Sequence, residues 1–234
     1  MNEILLITSL VITYTTVLIF YKFLGKVGLY IWTSIATIVA NIEVLILIHA
    51  FGMDQTLGNI LFASTFLVTD ILSEKYGKGA ANKSVRIGII SNIVFVLMSQ
   101  FWFLYTPLAG TEKMMNEIEV VFSQVPRMML VGIAVYAIAQ SFDVWMFEKF
   151  RNLTNKIFGE GTNKGLWIRN NGSTLISQLI NTCLFTFGAF AGTYDMDTLL
   201  SILVSSYIIF VFTSLLDTPF VYLARKIQPK EDNL

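Results

Sequence analysis

The stretch LWIRNNGSTLISQLINTCLFTFGAF, residues 166–190, decides the fold, because it is long and apolar enough to cross a membrane yet carries a polar stripe. Helical spacing of i, i+3 and i+4 puts on one face Asn170, Thr174, Ser177, Gln178 and Asn181. Polar groups are costly in hydrocarbon unless they are paired or hydrated. A helix that served only as an anchor would not carry them. The stripe therefore predicts a solute pathway or binding cavity inside a helical bundle.

The rest of the chain has the composition of a membrane protein. Hydrophobic residues make up 55% of it and charged residues only 14%, whereas a soluble domain carries roughly 25% charged residues. Apolar runs long enough to cross about 30 Å of hydrocarbon recur along its length. They predict an all-α, polytopic bundle of seven transmembrane helices that occupies residues 1–234 as one unit, with spans near 4–24, 28–51, 57–75, 86–106, 126–148, 166–191 and 199–224.

The basic residues predict the orientation of this bundle. If the N-terminus lies outside, 14 of the 16 lysines and arginines fall in cytoplasmic loops, and only Lys113 and Arg127 lie outside. The positive-inside rule therefore selects an N-out, C-in topology in the cell membrane. Net charge is zero and the basic clusters are short, so the expected surroundings are a lipid bilayer and no nucleic acid is expected to bind.

Acidic residues within the predicted spans are a second indication of function. Glu43 follows Asn41 past the middle of the second span, where an ionised carboxylate needs water, a cation or a hydrogen-bond donor. Asp70, Asp143 and Asp217 each lie toward the cytoplasmic end of a helix, 73 and 74 residues apart. This spacing fits an internal duplication or a coincidence, since helices that end in the cytosol tend to finish with charges.

The three aspartates also have a structural interpretation. They could pair with Lys75, Lys149 or Arg169 as an inner gate or brace. Asp143 closes the fifth span and Arg169 opens the sixth on the same side. Opposite charges at one depth in a poor solvent should pair, so we predict that these two are neighbours.

The remaining chemistry of the sequence is sparse. His49 lies near the outer end of the second span, and Cys183 is a packing residue in the middle of the membrane. Residues 106–126 form an amphipathic pattern that lies on the membrane surface or covers an outer vestibule. There is no His/Cys cluster and no phosphate-binding Gly loop, so no metal, cofactor or ATP hydrolysis is expected.

Three segments resemble one known family: FLVTDILSEKYGKGAA (66–81), AIAQSFDVWMFEKFRNLT (137–154) and LWIRNNGSTLISQLINT (166–182). Together they are similar to the vitamin uptake transporter family of queuosine precursor transporters. The resemblance implies uptake of 7-deazaguanine bases, such as the cyano or aminomethyl form or queuine, for salvage into tRNA. It also implies a bundle akin to the substrate-binding subunits of energy-coupling-factor importers, working without a dedicated ATPase. The family often has Asp where this chain has Asn181.

For such a base we predict that four side chains converge near the bilayer midplane, namely Glu43, Asn41, Gln178 and Asn181. Gln140 and Asn170 would lie on the cytoplasmic side of the same cavity. Glu43 would accept the ring N–H and the exocyclic amine together, while carboxamides serve the carbonyl and remaining edges. Aromatic rings would stack on the base, but the sequence does not single out which ones.

Two other functional classes fit the sequence less well than a transporter. A substrate-binding subunit of an energy-coupling-factor importer often carries small residues on its first helix, whereas 4–24 contains no alanine or glycine. An intramembrane enzyme would need a dyad such as Asp70 and Asp143, but neither lies in a Gly-x-Gly-Asp type of motif. We therefore predict that the chain is not an enzyme. The precursor carried, the energy coupling (facilitated or proton-coupled) and homo-oligomerisation stay open.

Overall fold

The structure is a computed structural model that describes residues 1–123, 125–160, 162 and 164–230, with the backbone alone at 123 and 125–128. Its elements in chain order are α1 (Asn2–Glu43), β1 (Leu47–Ala50), β2 (Met53–Thr56), α2 (Asn59–Tyr76), α3 (Lys78–Trp102), α4 (Glu112–Ser123), α5 (Val125–Phe158), α6 (Leu166–Phe190) and α7 (Met196–Lys226). In this described part five helices are long and apolar enough to cross a membrane: α1, α3, the Met129–Phe158 part of α5, α6 and α7.

Helix α1 folds back on itself at Gly25. This glycine has φ 55° and ψ −139°, outside the helical region, a conformation that suits a residue without a Cβ. The rings of Phe20 and Trp32 are 5.6 Å apart, although twelve residues of straight helix would separate them by about 18 Å. Asn2 also donates to the His49 carbonyl at 2.9 Å. The arms 2–24 and 26–43 are therefore antiparallel, as expected for two successive spans.

The second predicted span was too long, because its last residues form a β-hairpin. The helix ends at Glu43, and β1 pairs with β2 so that Ala50 lies opposite Met53. Phe51 (φ 55°) and Gly52 (φ 73°) make the two-residue loop, which is the pattern of a tight hairpin turn. A short apolar run such as 44–51 fits a helix or a strand equally well.

The bundle has two ends that carry different loops. One end, called here the basic end, carries several lysines and arginines. There Lys230 N donates to Lys22 O at 3.0 Å, and Lys75 Nζ donates to Arg225 O at 3.3 Å. This end also contains Gly25, the α2–α3 junction at Gly77 and the α5–α6 loop. The opposite end, called here the hairpin end, contains the start of α1, the β-hairpin, and the α3–α5 and α6–α7 connections.

Helix α6 turns its polar face into the bundle, as the sequence predicts. Ten of its twelve buried residues are polar, while Trp167, Ile176 and Leu184 are exposed. Large apolar side chains also cover the outside of other helices, among them Leu97, Phe101 and Phe212. A polar interior and an apolar exterior are what a lipid-embedded solute pathway requires.

Candidate functional site

A cavity lies near the hairpin end, between the second arm of α1 and helices α2, α3, α5, α6 and α7. The centre of a water molecule can move through about 70 Å³ of it, several times the roughly 10–15 Å³ that one buried water needs. Its polar lining includes Asn41, Asn59, Asn92, Tyr136 and Asn181, and its aromatic lining includes Phe62, Phe185, Phe190 and Phe210. Rings and carboxamides around one space are typical of a site for a flat, polar ligand.

The aromatic side chains form one wall of the cavity. Phe62 packs against Tyr136 and against Phe210, with ring centroids 6.1 Å apart in both pairs. Phe185 meets Phe190 edge to face at 5.8 Å. Rings that brace one another in this way form a rigid apolar surface on which a planar ligand can stack.

The carboxamides offer complementary hydrogen-bonding groups. Asn41 Nδ2 donates to Thr37 O and to Asn92 Oδ1, both at 2.8 Å. Because both its N–H bonds are used, Asn41 presents its carbonyl oxygen. Asn59 is the reverse: its Oδ1 accepts from Thr56 at 3.2 Å, while its Nδ2 is buried with no partner among the described residues. The lining therefore includes a carboxamide acceptor on Asn41 and, on Asn59, a buried donor without a partner among the described residues.

A cluster of three carboxyl groups lies deeper in the bundle, beside the polar face of α6. Asp70 accepts from Thr174 and Asp143 accepts from Ser177, each at 3.1 Å. Asp217 accepts from Asn170 Nδ2 at 2.7 Å. All three aspartates are fully buried. We call Asp70, Asp143 and Asp217 the carboxylate cluster.

The basic end of the bundle is closed by an ion-pair network. Arg169 binds Glu74 in a bidentate way, Nη2 to Oε1 at 2.6 Å and Nε to Oε2 at 2.8 Å. Arg225 Nη1 lies 3.0 Å from the same Oε1. The Arg169 and Glu74 side chains are 3% and 6% exposed, so these charges are neutralised by one another rather than by water.

The predicted Asp143–Arg169 pair is therefore wrong. Arg169 binds Glu74, and Asp143 is held by Ser177 instead. Glu74 lies one turn beyond Asp70 on α2 and so reaches the depth at which α6 begins. Asp143 lies about two turns deeper, level with Ser177.

Comparison with known proteins adds a family to this geometry. The family model described as "Putative vitamin uptake transporter" matches residues 56–224. The chain belongs to this vitamin uptake transporter family. It is also 36% identical over 222 residues to a Bacillus subtilis (strain 168) protein named "Probable queuosine precursor transporter", covering 95% of this chain and 94% of that protein. No solved structure matches the chain.

Family membership and the apolar helices together establish a multi-pass protein of the cell membrane with a transport role rather than a catalytic one. The family match contains the carboxylate cluster, the whole of α6 and most of the cavity lining. Asn41 and Glu43 lie before it. Both arms of α1 thus lie outside the residues that the family model matches.

The structure brings together only part of the predicted binding set. Asn41 and Asn181 line the same cavity. Gln178 is buried next to them, with its Oε1 3.5 Å from Asn181 Nδ2. Glu43 is the last residue of α1, half-buried, and it does not line the cavity. The helix stops where the sequence predicted it to continue, so Glu43 lies at the hairpin end rather than at mid-membrane.

The other two predicted binding residues contact buried polar groups away from the cavity. Gln140 donates to Thr65 at 2.7 Å and accepts from Thr69 at 3.1 Å, which ties α5 to α2. Asn170 ties α6 to Asp217 on α7. His49, predicted at a helix end, is an exposed residue of β1, 2.7 Å from Asp54.

Sequence reasoning missed several lining residues. Asn92 lies in the apolar run GIISNIVFVLM of α3, and a carboxamide in the middle of a membrane helix is itself a signal. Asn59 and Tyr136 carry no such signal, because the sequence around each is equally compatible with a residue that only packs one helix against another. The stacking rings could be chosen only once the helices were placed around the cavity.

Proposed function

We propose that this protein imports queuosine precursors, 7-deazaguanine bases such as the cyano or aminomethyl form or queuine, for salvage into tRNA. The observation that carries the proposal is the similarity to a probable queuosine precursor transporter over 95% of the chain. The cavity supports it, because rings and carboxamides match a flat base with donors and acceptors on its edges.

We place the base against the aromatic wall, with its polar edges toward the carboxamides. The ring N–H and exocyclic amine are donors that suit the carbonyl oxygens of Asn41 and Asn181. The free Nδ2 of Asn59 suits the ring carbonyl. A purine that lacks these groups would leave buried carboxamides unpaired, and such a penalty is how a polar pocket rejects analogues.

The other predicted residues take supporting roles in this proposal. Gln178 orients Asn181, while Gln140 and Asn170 hold α5 and α6 in register with their neighbours. Glu43 precedes Val44, which lines the cavity. We assign Glu43 to the cavity entrance, where its carboxylate attracts the donor edge or the amine of an incoming base.

The proposed topology is one unit of seven crossings, N-out and C-in. The two arms of α1, together with α2, α3, α5, α6 and α7, supply seven helical segments. Helix α2 is not among the five apolar helices, because its 18 residues include Asp70, Glu74 and Lys75. The basic end then faces the cytosol, and the cavity lies toward the outside. We also propose that the bundle resembles the substrate-binding subunits of energy-coupling-factor importers in its fold.

A tRNA assay tests the proposed function. A bacterial host that cannot make the base is supplied with each precursor, with or without this chain, and the queuosine content of its tRNA is measured. We expect this chain alone to restore queuosine from at least one precursor at low external concentration. Restoration only when energising subunits are added would favour the substrate-binding-subunit alternative. No restoration with any precursor would refute both.

A further inference from the structure

Two oxygen atoms in the carboxylate cluster have no hydrogen-bond donor. Asp70 uses Oδ2 to accept from Thr174, and Asp143 uses Oδ1 to accept from Ser177. Their other oxygens, Asp70 Oδ1 and Asp143 Oδ2, are buried and have no partner among the described residues. Their donors, Thr174 and Ser177, are three residues apart on one face of α6, which places the two carboxyl groups next to each other. A buried acceptor without a donor is costly in free energy, so a hydrogen atom that could be donated to these two oxygens is missing from the pair.

Among the described residues, no lysine, arginine or histidine forms an ion pair with Asp70 or Asp143. The titratable groups that interact with the pair from the surrounding helices are Tyr14 on α1, Glu74 on α2 and Asp217 on α7, and none of them is a cation. Arg169 is bound in a bidentate way to Glu74. Asp217 is a third buried carboxyl group rather than a cation, and a third buried acceptor without a donor lies beside it, Asn170 Oδ1.

Two facing carboxyl groups in such a site cannot both be ionised, because like charges at short range in a poor solvent repel strongly. One proton held between them removes one charge and supplies the missing donor, as in carboxyl pairs elsewhere. A metal ion fits less well, because among the described side chains no three His, Cys, Asp or Glu are placed to hold one together.

We propose that Asp70 and Asp143 share one proton, and that this proton is the coupling ion which enters the cell with each base. The inference rests on the proposed function. The pair lies between the cavity and the ion-pair network: along α6, Ser177 is one turn from Asn181, and Thr174 is about 8 Å from Arg169. The proton is taken up from the cavity side and released at the basic end when the Glu74–Arg169 pair opens.

The experiment uses the purified full chain in liposomes, with labelled 7-cyano-7-deazaguanine as the base and a pH dye trapped inside. Counterflow at equal pH measures base movement alone. Uptake of the base against its own concentration gradient, with the outside more acidic by one pH unit, measures coupling. One proton carried with each base raises the ratio of internal to external base about tenfold. Because this base is uncharged, we also expect an inside-negative potential to drive uptake and the dye to report acidification.

Asp143→Asn and Asp70→Asn are the diagnostic variants, because a carboxamide N–H permanently supplies the missing donor. We expect each to keep counterflow but lose accumulation and acidification, and the double variant to lose nothing more. Asp197→Asn, which removes an exposed carboxylate in the first turn of α7, is the matched control and should behave as wild type.

Four results would overturn the inference, each distinguishable from failure of the proposed function. They are wild-type accumulation that is the same with and without the pH gradient, base entry without acidification, uptake driven by a sodium gradient instead, and gradient-driven accumulation that survives in Asp143→Asn. Absence of wild-type counterflow would refute the transport proposal itself. If a variant gives no counterflow because it does not fold, the wild-type dye signal decides the question by itself.

Discussion

Arg169 on α6 holds Glu74 on α2 through two short hydrogen bonds, across 95 residues of sequence. The pair joins the two helices that carry Thr174 and Asp70, and it closes the basic end of the bundle beneath the carboxylate cluster. In the proposed topology this end faces the cytosol, and separation of the two side chains would open the polar interior toward that side.

The first prediction concerns the strength of this pair. Arg169→Gln leaves a buried carboxylate with Arg225 as its remaining ionic partner. It should lower the free energy of unfolding in detergent by about 3 kcal/mol. Glu74→Gln plus Arg169→Gln should be less harmful than the sum of the single changes. Glu117→Gln breaks the exposed pair with Lys113 and should have no measurable effect. Strictly additive losses would show that Arg169 and Glu74 do not interact.

The second prediction concerns the packing of α5 against α1. A Cβ at Gly132 would lie 2.7 Å from Asn41 Oδ1, whereas one at Gly79 meets nothing within 4 Å. Gly132→Ala should therefore displace the Asn41 carboxamide and raise the KM for base uptake several-fold at unchanged expression. Gly79→Ala is the control and should leave KM unchanged. Equal KM values for the two variants would remove Asn41 from the site.

A third prediction concerns the cavity lining and its entrance. Asn181→Leu removes an acceptor and should weaken base binding by about 1–3 kcal/mol, measured by ligand-dependent thermal stabilisation. Asn181→Asp should instead favour the aminomethyl base, whose amine is cationic. Asn152→Leu, at an exposed position of the basic end, is the control.

Glu43→Gln tests whether Glu43 acts at the cavity entrance or in the binding site itself. If Glu43 lies at the entrance, loss of its charge should raise the KM for base uptake. Equilibrium binding of the uncharged cyano base should stay almost unchanged. Loss of all binding would return Glu43 to the centre of the site, whereas wild-type KM for every base would exclude it.

The fourth prediction concerns topology. In a Cys183→Ser background, cysteines at Lys78 and Asp195, both exposed, should be labelled from opposite sides of the membrane. A cysteine at Asp54, in the β-hairpin, should react from the same side as one at Asp195. Labelling of positions 78 and 195 from one side would refute the seven-crossing, N-out arrangement.

The sequence predicted the helical bundle and the inward polar face of α6, because hydropathy and helical period report burial directly. It did not predict the hairpin, since the apolar run 44–51 has no period that excludes a helix, and Glu43 was misplaced as a result. The partner of Arg169 was also wrong, because Glu74 and Asp143 both lie toward the same end of the bundle. The cavity depends on how six helices and β2 meet, which no single stretch of sequence records.

The most direct test of the central claim is counterflow by the purified chain alone. Liposomes that contain only this protein are preloaded with unlabelled 7-deazaguanine base. They should take up the labelled base faster than equally loaded liposomes without protein, called here empty liposomes. Asn181→Leu should slow this uptake, and excess adenine should not compete with it. Uptake no faster than in empty liposomes for the cyano base, the aminomethyl base and queuine alike would contradict the account.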